Sequence, residues 1–191
     1  LKGNNTPAVL IVLYGNREFE DALMELKLLA LELGFLPIAG GAFIGEHSFS
    51  TQATPIAVAR PDDQDLEKAR EFGKQASELL KKGNGPTEGD AVEVPGNFPY
   101  RDGMGDKAFQ FLDVTDDCIE CGTCVSVCPK EAVDEDNGYT TIDDRCIFCC
   151  ACIKACPQEA RVFRESPMLD KAKWLNENCA ARKEPELFFA G

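Results

Sequence analysis

Eight of the ten cysteines in this chain fall into two copies of one run. The first copy reads Cys118-Ile-Glu-Cys121-Gly-Thr-Cys124-Val-Ser-Val-Cys128-Pro129, and the second Cys146-Ile-Phe-Cys149-Cys-Ala-Cys152-Ile-Lys-Ala-Cys156-Pro157. All four cysteines and the closing proline keep an offset of 28 residues. So do Ile119 with Ile147, Val125 with Ile153, and Glu131-Ala132 with Glu159-Ala160. A duplication carrying eight thiols at this spacing is a metal framework, and it limits what the surrounding chain can fold into.

The spacing selects the metal. Three cysteines two residues apart wrap one face of a [4Fe–4S] cube, and the fourth, three residues further on, lies too far round to return to it. By the general rule for this motif, that fourth cysteine ligates the other cluster. One cluster is therefore expected on Cys118, Cys121, Cys124 and Cys156, and a second on Cys146, Cys149, Cys152 and Cys128. Ile119, Val125, Val127, Ile147, Phe148 and Ile153 are expected to shield the clusters, while Gly122 and Thr123 keep backbone amides near sulfur. Three other readings explain the run less well. A disulfide scaffold belongs to small secreted domains. Zinc takes C-x2-C pairs with a longer spacer, and a three-iron cluster would leave a ligand position empty.

Ten cysteines, eight of them taken up by the two runs, imply a reducing compartment, so a cytoplasmic location is expected. No apolar run approaches the ~20 residues needed to span a bilayer, and no secretory signal pattern is found, so no membrane span is expected. The net charge is −13, from 20 basic and 33 acidic side chains. Residues 116–163 carry ten acidic side chains against four basic ones. That acidity disfavours nucleic acid and complements a redox partner with a basic docking patch, although it also serves solubility.

Upstream, Ala8–Tyr14 is a continuous aliphatic run that predicts a strand buried on both faces of a parallel sheet. Phe19, Ala22, Leu23, Leu26, Leu29, Ala30 and Leu33 follow at helical spacing, with Gly34 as the terminal cap. Leu36–Ile44 reads as a second strand. After Pro61, acidic residues open a helix that Lys81-Lys82-Gly83 close, with Leu66, Ala69, Gly73, Ala76 and Leu80 as its buried stripe. This alternation predicts a doubly wound α/β sheet. Two strands do not complete such a sheet, so earlier strands are expected to have been removed, or to come from a partner chain. Residues 97–117 read as irregular, with Phe109, Phe111 and Leu112 available for docking. Tyr139–Ile142 and Arg161–Phe163 read as short strands, and Pro167–Cys179 as a helix with Leu169, Ala172, Trp174 and Leu175 facing inward. Residues 182–189 have no clear period. Cys150 and Cys179 read as small buried hydrophobes rather than ligands.

The repeat resembles bacterial two-cluster ferredoxins. The whole chain resembles the fused flavodoxin–ferredoxin proteins called ferrodoxins, through Tyr14-Gly15-Asn16-Arg17, Gly45-Glu46-His47-Ser48-Phe49-Ser50, Arg60-Pro61-Asp62, Val94-Pro95-Gly96-Asn97, and Asn178-Cys179 with Arg182-Lys183. The resemblance implies an anaerobe and a mixed fold: a partial flavodoxin-like doubly wound parallel sheet followed by a small two-cluster ferredoxin-like domain. The implied boundaries are residues 1–83 for the second half of the flavodoxin-like domain, 84–115 for a linker, 116–165 for the ferredoxin-like domain and 166–191 for a helix and tail. It also implies FMN along Tyr14, Gly15, Asn16 and Arg17, with His47 as a further contact. The Ser/Thr-Gly-rich phosphate loop that opens the flavodoxin fold has no counterpart here. A plain turn at Tyr14–Asn16 and an incidental His47 explain the same residues.

Together these readings predict an electron carrier with two low-potential [4Fe–4S] clusters rather than a catalyst. A flavin-dependent iron–sulfur oxidoreductase with its own substrate, or an iron–sulfur redox sensor, are the alternatives.

Overall fold

β1 (Thr6–Tyr14) lies parallel to β2 (Phe35–Ile44), and α1 (Ala22–Glu32) makes the crossover that parallel neighbours require. The computed structural model describes residues 1–81, 89, 91–102 and 110–191. These form two units. The first holds the described residues of Leu1–His47, Ala57–Asp102 and Ala181–Gly191, and the second those of Ser48–Ile56 and Gly103–Ala180. Fold class is accordingly mixed α/β, with a small sheet in the first unit.

In that unit the sheet order is β1-β2-β7, where β7 (Glu186–Phe189) pairs antiparallel with β2 through Ala39–Ala42. Pro37 has no N–H to give the ladder, and the β1–β2 register slips beside it, between Ala8 and Val9. One sheet face packs Leu10, Tyr14, Ala42 and Ile44 against Leu23 and Ala30 of α1, with Val92 and Val94 completing the cluster. Ala39 and Phe43 on the other face meet Phe72 and Ala76 of α2 (Asp63–Lys81). Gly34 ends α1 as expected, in the left-handed region at φ 80°, with its N–H donating to the Leu31 carbonyl at 2.9 Å.

Several expectations for this unit are corrected. Among the described residues β1 is an edge strand covered on one face only, and Val9, Ile11 and Leu13 stand exposed, Leu13 at 71%. Leu29 is exposed on α1, while Lys27 is buried and reaches Glu93 at 3.2 Å. On α2 the buried positions are Asp65, Phe72 and Ala76, whereas Leu66 and Leu80 are exposed and Gly73 faces open space. The stripe shifted because Asp65 enters the interior as the partner of Arg60, whose guanidinium forks onto both carboxylate oxygens. Val92 and Val94, expected in a linker, belong to the core. Lys82 and Gly83, at the expected helix end, and Phe109 lie outside the described residues.

Asp62 caps α2. Its carboxylate accepts from the backbone N–H of Gln64 at 3.0 Å and of Asp65 at 3.1 Å. Arg182, hydrogen-bonded to the same carboxylate, is the main reason its pKa lies well below the ordinary 3.8, with the Asp65 N–H next.

The second unit contains two small sheets, β3 (Leu112–Val114) with β6 (Arg161–Phe163), and β4 (Val133–Asp134) with β5 (Thr140–Thr141). The strands expected at Tyr139–Ile142 and Arg161–Phe163 are present, and β3 and β4 are additions. α5 (Pro167–Asn178) starts with Ser166 accepting the Leu169 N–H and buries Met168, Ala172 and Leu175. Trp174, expected inside, is exposed, with Lys171 Nζ 4.4 Å from its ring centroid. Among the described residues no helix is long and apolar enough to cross a membrane.

Two measurements test this packing. Phe72→Ala should destabilise the fold by about 3–5 kcal/mol in anaerobic urea denaturation, the cost of truncating a buried aromatic. Asp62 binds its proton less readily folded than unfolded, so its contribution is present above about pH 4 and lost as pH falls below that. Asp62→Asn should therefore be less stable than wild type at pH 7, and the gap should narrow below pH ~4. A gap independent of pH would contradict the assignment.

Candidate metal centre

The duplication in sequence is a duplication in backbone conformation. Glu120 and Phe148 both lie in the left-handed region, at φ 54° and 57°, as do Gly122 and Cys150 at 71° and 56°, and Glu131 and Glu159 at 49° and 51°. Gly122 and Cys150 then start matching short helices, α3 (Thr123–Ser126) and α4 (Ala151–Lys154). Gly122 adopts this φ without steric cost, whereas Cys150 pays some strain for it.

Hydrogen bonds repeat with the same offset. The Val125 N–H donates to the Gly122 carbonyl at 3.0 Å, and the Ile153 N–H to that of Cys150 at 3.1 Å. Two bonds reach sulfur directly, the Ala132 N–H to Cys128 Sγ at 3.2 Å and the Ala160 N–H to Cys156 Sγ at 3.3 Å. Such donors stabilise a thiolate.

Strand pairing crosses between the copies. β3 stands at the start of the first copy and β5 at the start of the second, while β4 and β6 end the first and second copies respectively. Pairing joins β3 to β6 and β5 to β4, so the start of each copy is tied to the end of the other. Each fourth cysteine lies shortly before the strand that crosses over.

Two cavities result. One is lined by Cys118, Cys121, Cys124 and Cys156. The other is lined by Cys146, Cys149, Cys152 and Cys128, with Cys150 as a fifth thiol on its wall. The thiols stand round the cavity walls: among the described residues, no three Cys, His, Asp or Glu side chains meet closely enough to hold a single metal ion. Each cavity wall carries at least four soft thiol donors, the donor set of an iron–sulfur cluster, so the residues fit that group.

The two surroundings differ. Beside the first cavity, the Thr123 hydroxyl lies 3.3 Å from Cys121 Sγ and draws that thiol's pKa down. The matching residue of the second copy is Ala151. Burial pushes up the thiols of Cys124 and Cys146, with Arg161 opposing it at Cys124. Behind the second cavity stands an aromatic group, Phe111 with Phe148 at 4.9 Å and with Phe163 at 6.0 Å between ring centroids. Cys150 is buried in this same cluster, where desolvation drives its thiol far up, as expected of a packed residue. Cys179 packs at the cluster's margin.

One expectation about shielding is corrected. Ile119 and Ile147 line the first and second cavities but are 60% and 55% exposed, and Val127 is exposed as well. Their place straight after the first cysteine of each run puts them at the rims. Arg161 was missed by sequence reading as a residue of the site. Its only signal was a charged residue where the first copy has Val133.

The residues expected to hold FMN take a different form. Tyr14 is buried against Phe19, at 5.4 Å between ring centroids, and Lys183 Nζ stands 5.9 Å from its ring. A Cβ placed on Gly15 would fall 2.2 Å from the His47 ring, so the structure does bring Gly15 and His47 together. The Asn16 side chain donates to the Ala181 carbonyl at 2.8 Å and accepts the Lys183 N–H at 3.2 Å. Lys183 Nζ donates to the Arg17 carbonyl at 2.7 Å. Residues 181–183 thus lie across the loop where a flavin ring was expected. The Tyr14 hydroxyl is buried and has no hydrogen-bond partner among the described residues.

A search of curated proteins gave no match to the chain. The profile of the 4Fe-4S dicluster domain family matches residues 117–162, the stretch that holds all eight cysteines of the two runs. That match supports a ferredoxin-like iron–sulfur domain in this part of the chain, with iron–sulfur electron transfer as its chemistry.

Proposed function

We propose that the chain is an electron-transfer protein holding two [4Fe–4S] clusters, one on Cys118, Cys121, Cys124 and Cys156 and the other on Cys146, Cys149, Cys152 and Cys128. The observation that carries this reading is the composition of the two cavities, each of which brings the first three repeated thiols of one run together with the fourth of the other, with Cys150 as a further thiol on the second wall. When bound, such clusters take up and release single electrons at low potential. The protein's part is to fix distance, burial and hydrogen bonding around them.

Those roles divide among named residues. The Ala132 and Ala160 N–H groups hold the two crossing thiolates, Cys128 and Cys156. Thr123 adds a hydroxyl at Cys121, which favours added negative charge at the first site over the second. Ile119 and Ile147 offer apolar contact at the cavity mouths, and the acidic surface around them suits a redox partner with a basic docking patch. None of these groups makes or breaks bonds, which favours a carrier over a catalyst.

The first unit is consistent with the second half of a flavodoxin-like sheet. Its two parallel strands are joined by a crossover helix, and among the described residues β1 keeps an open edge and one open apolar face. Its residues nevertheless do not fit a flavin as they stand. Tyr14 is buried, and the side chain of Asn16 is engaged by residues 181–183. No role is therefore assigned to FMN, and a flavin-dependent oxidoreductase or a redox sensor gains no support from this loop.

Anaerobically reconstituted protein is expected to hold about eight iron atoms per chain, the content of two cubes. Four or fewer would contradict the assignment. Cys156→Ala should selectively damage the cluster built on Cys118, Cys121 and Cys124, read as loss of one of two EPR signals in the reduced protein. Loss of the other signal would refute crossed ligation. Cys150→Ala, in contrast, should retain the full iron content and visible spectrum, because its thiol is a packing group.

A further inference from the structure

Arg161 breaks the internal duplication at a particular place. It opens β6, and its counterpart 28 residues earlier is the apolar Val133, which opens β4. Arg161 is only 2% exposed. It is also shared, since it lines the cavity of Cys118, Cys121, Cys124 and Cys156 as well as that of Cys146, Cys149, Cys152 and Cys128.

Its visible partners do not balance its charge. Nη1 donates to the Tyr139 carbonyl and Nη2 to the Thr141 hydroxyl at 2.7 Å, both neutral oxygens. Nε is buried without a hydrogen-bond partner. Among the described residues, Arg161 has no carboxylate in ion-pair contact. A guanidinium stays protonated at any relevant pH, and burying it without an anion is costly. The orphaned Nε and the missing counter-charge together call for an anionic group within reach of both cavities.

We propose that Arg161 is a positioning residue that supplies one buried positive charge to both cluster sites and raises the reduction potential of each. The inference rests on the two-cluster reading above. Clusters carrying four thiolates are anionic, and each reduction adds one electron, supplied from outside by a donor protein, with no bond made or broken. A fixed cation between the sites favours that added charge at either one. Because Arg161 is buried, the effect is only weakly screened by salt.

The test is an anaerobic redox titration followed by EPR and visible absorbance, using dithionite as reductant, on wild type, Arg161→Gln and Arg161→Lys. Iron content and the circular dichroism of each protein are measured alongside. Arg161→Gln removes the charge and keeps an amide donor, and should move both midpoints to more negative values with about eight irons retained. The expected size is about tenfold in each one-electron equilibrium, or about 59 mV. Arg161→Lys should restore most of the shift. Full iron in Arg161→Gln with both midpoints unmoved, or only one moved, would overturn the proposal. If Arg161→Gln fails to load iron, Arg161→Lys decides: near-wild-type iron and midpoints support the charge, whereas failure in both variants assigns Arg161 to holding Tyr139 and Thr141 and overturns it. Wild type that takes zinc, or four irons or fewer, would sink the two-cluster reading and this inference with it.

Discussion

The second unit depends on crossed pairing. The first strand of each cysteine-bearing copy hydrogen-bonds to the last strand of the other, as β3 with β6 and β5 with β4. Neither copy can close alone. Short strands of two or three residues bury little apolar surface, so the pairing needs reinforcement of the kind that small domains find in metals. The same crossing brings Cys156 to the cavity of Cys118, Cys121 and Cys124, and Cys128 to that of Cys146, Cys149 and Cys152. In the proposed holoprotein, metal binding and strand pairing would stabilise each other.

Departures from the repeat matter as much as the repeat. Gly122 becomes Cys150, Thr123 becomes Ala151, Glu120 becomes Phe148, and Val133 becomes Arg161. Cys150 and Phe148 turn the second copy towards an aromatic interior with Phe111, whereas Thr123 leaves a hydroxyl beside Cys121. Two sites with the same ligands would thus meet different dielectric and hydrogen-bonding conditions, the terms that set the potential of such centres. Among the described residues, Arg161 alone brings a charge to both cavity walls.

Legibility followed the strength of local signals. The cysteine spacing pointed to the two groups of thiols that line the cavities because it repeats without a slip, and α1, β2 and α2 announced themselves by apolar period and end charges. β3 and β7 did not, since three or four residues such as Leu112–Val114 or Glu186–Phe189 are too short to show alternation. The buried face of α2 was misread because Asp65 looked like a helix-start charge, while its structural role as the Arg60 partner depends on a residue outside the helix. β1 was expected to be covered on both faces because its run is apolar throughout, yet coverage depends on what packs beside it. The engagement of the Tyr14–Arg17 loop by residues 181–183 joins positions about as far apart as the chain allows, beyond any window-based reading.

The central claim is that thiols are shared between the two copies. Anomalous diffraction at the iron edge, from crystals of anaerobically prepared protein, tests it most directly. Two four-iron positions are expected, one bounded by Cys118, Cys121, Cys124 and Cys156 and the other by Cys146, Cys149, Cys152 and Cys128. A four-iron position bounded by Cys118, Cys121, Cys124 and Cys128 of a single run, or anomalous signal from zinc in place of iron, would contradict it.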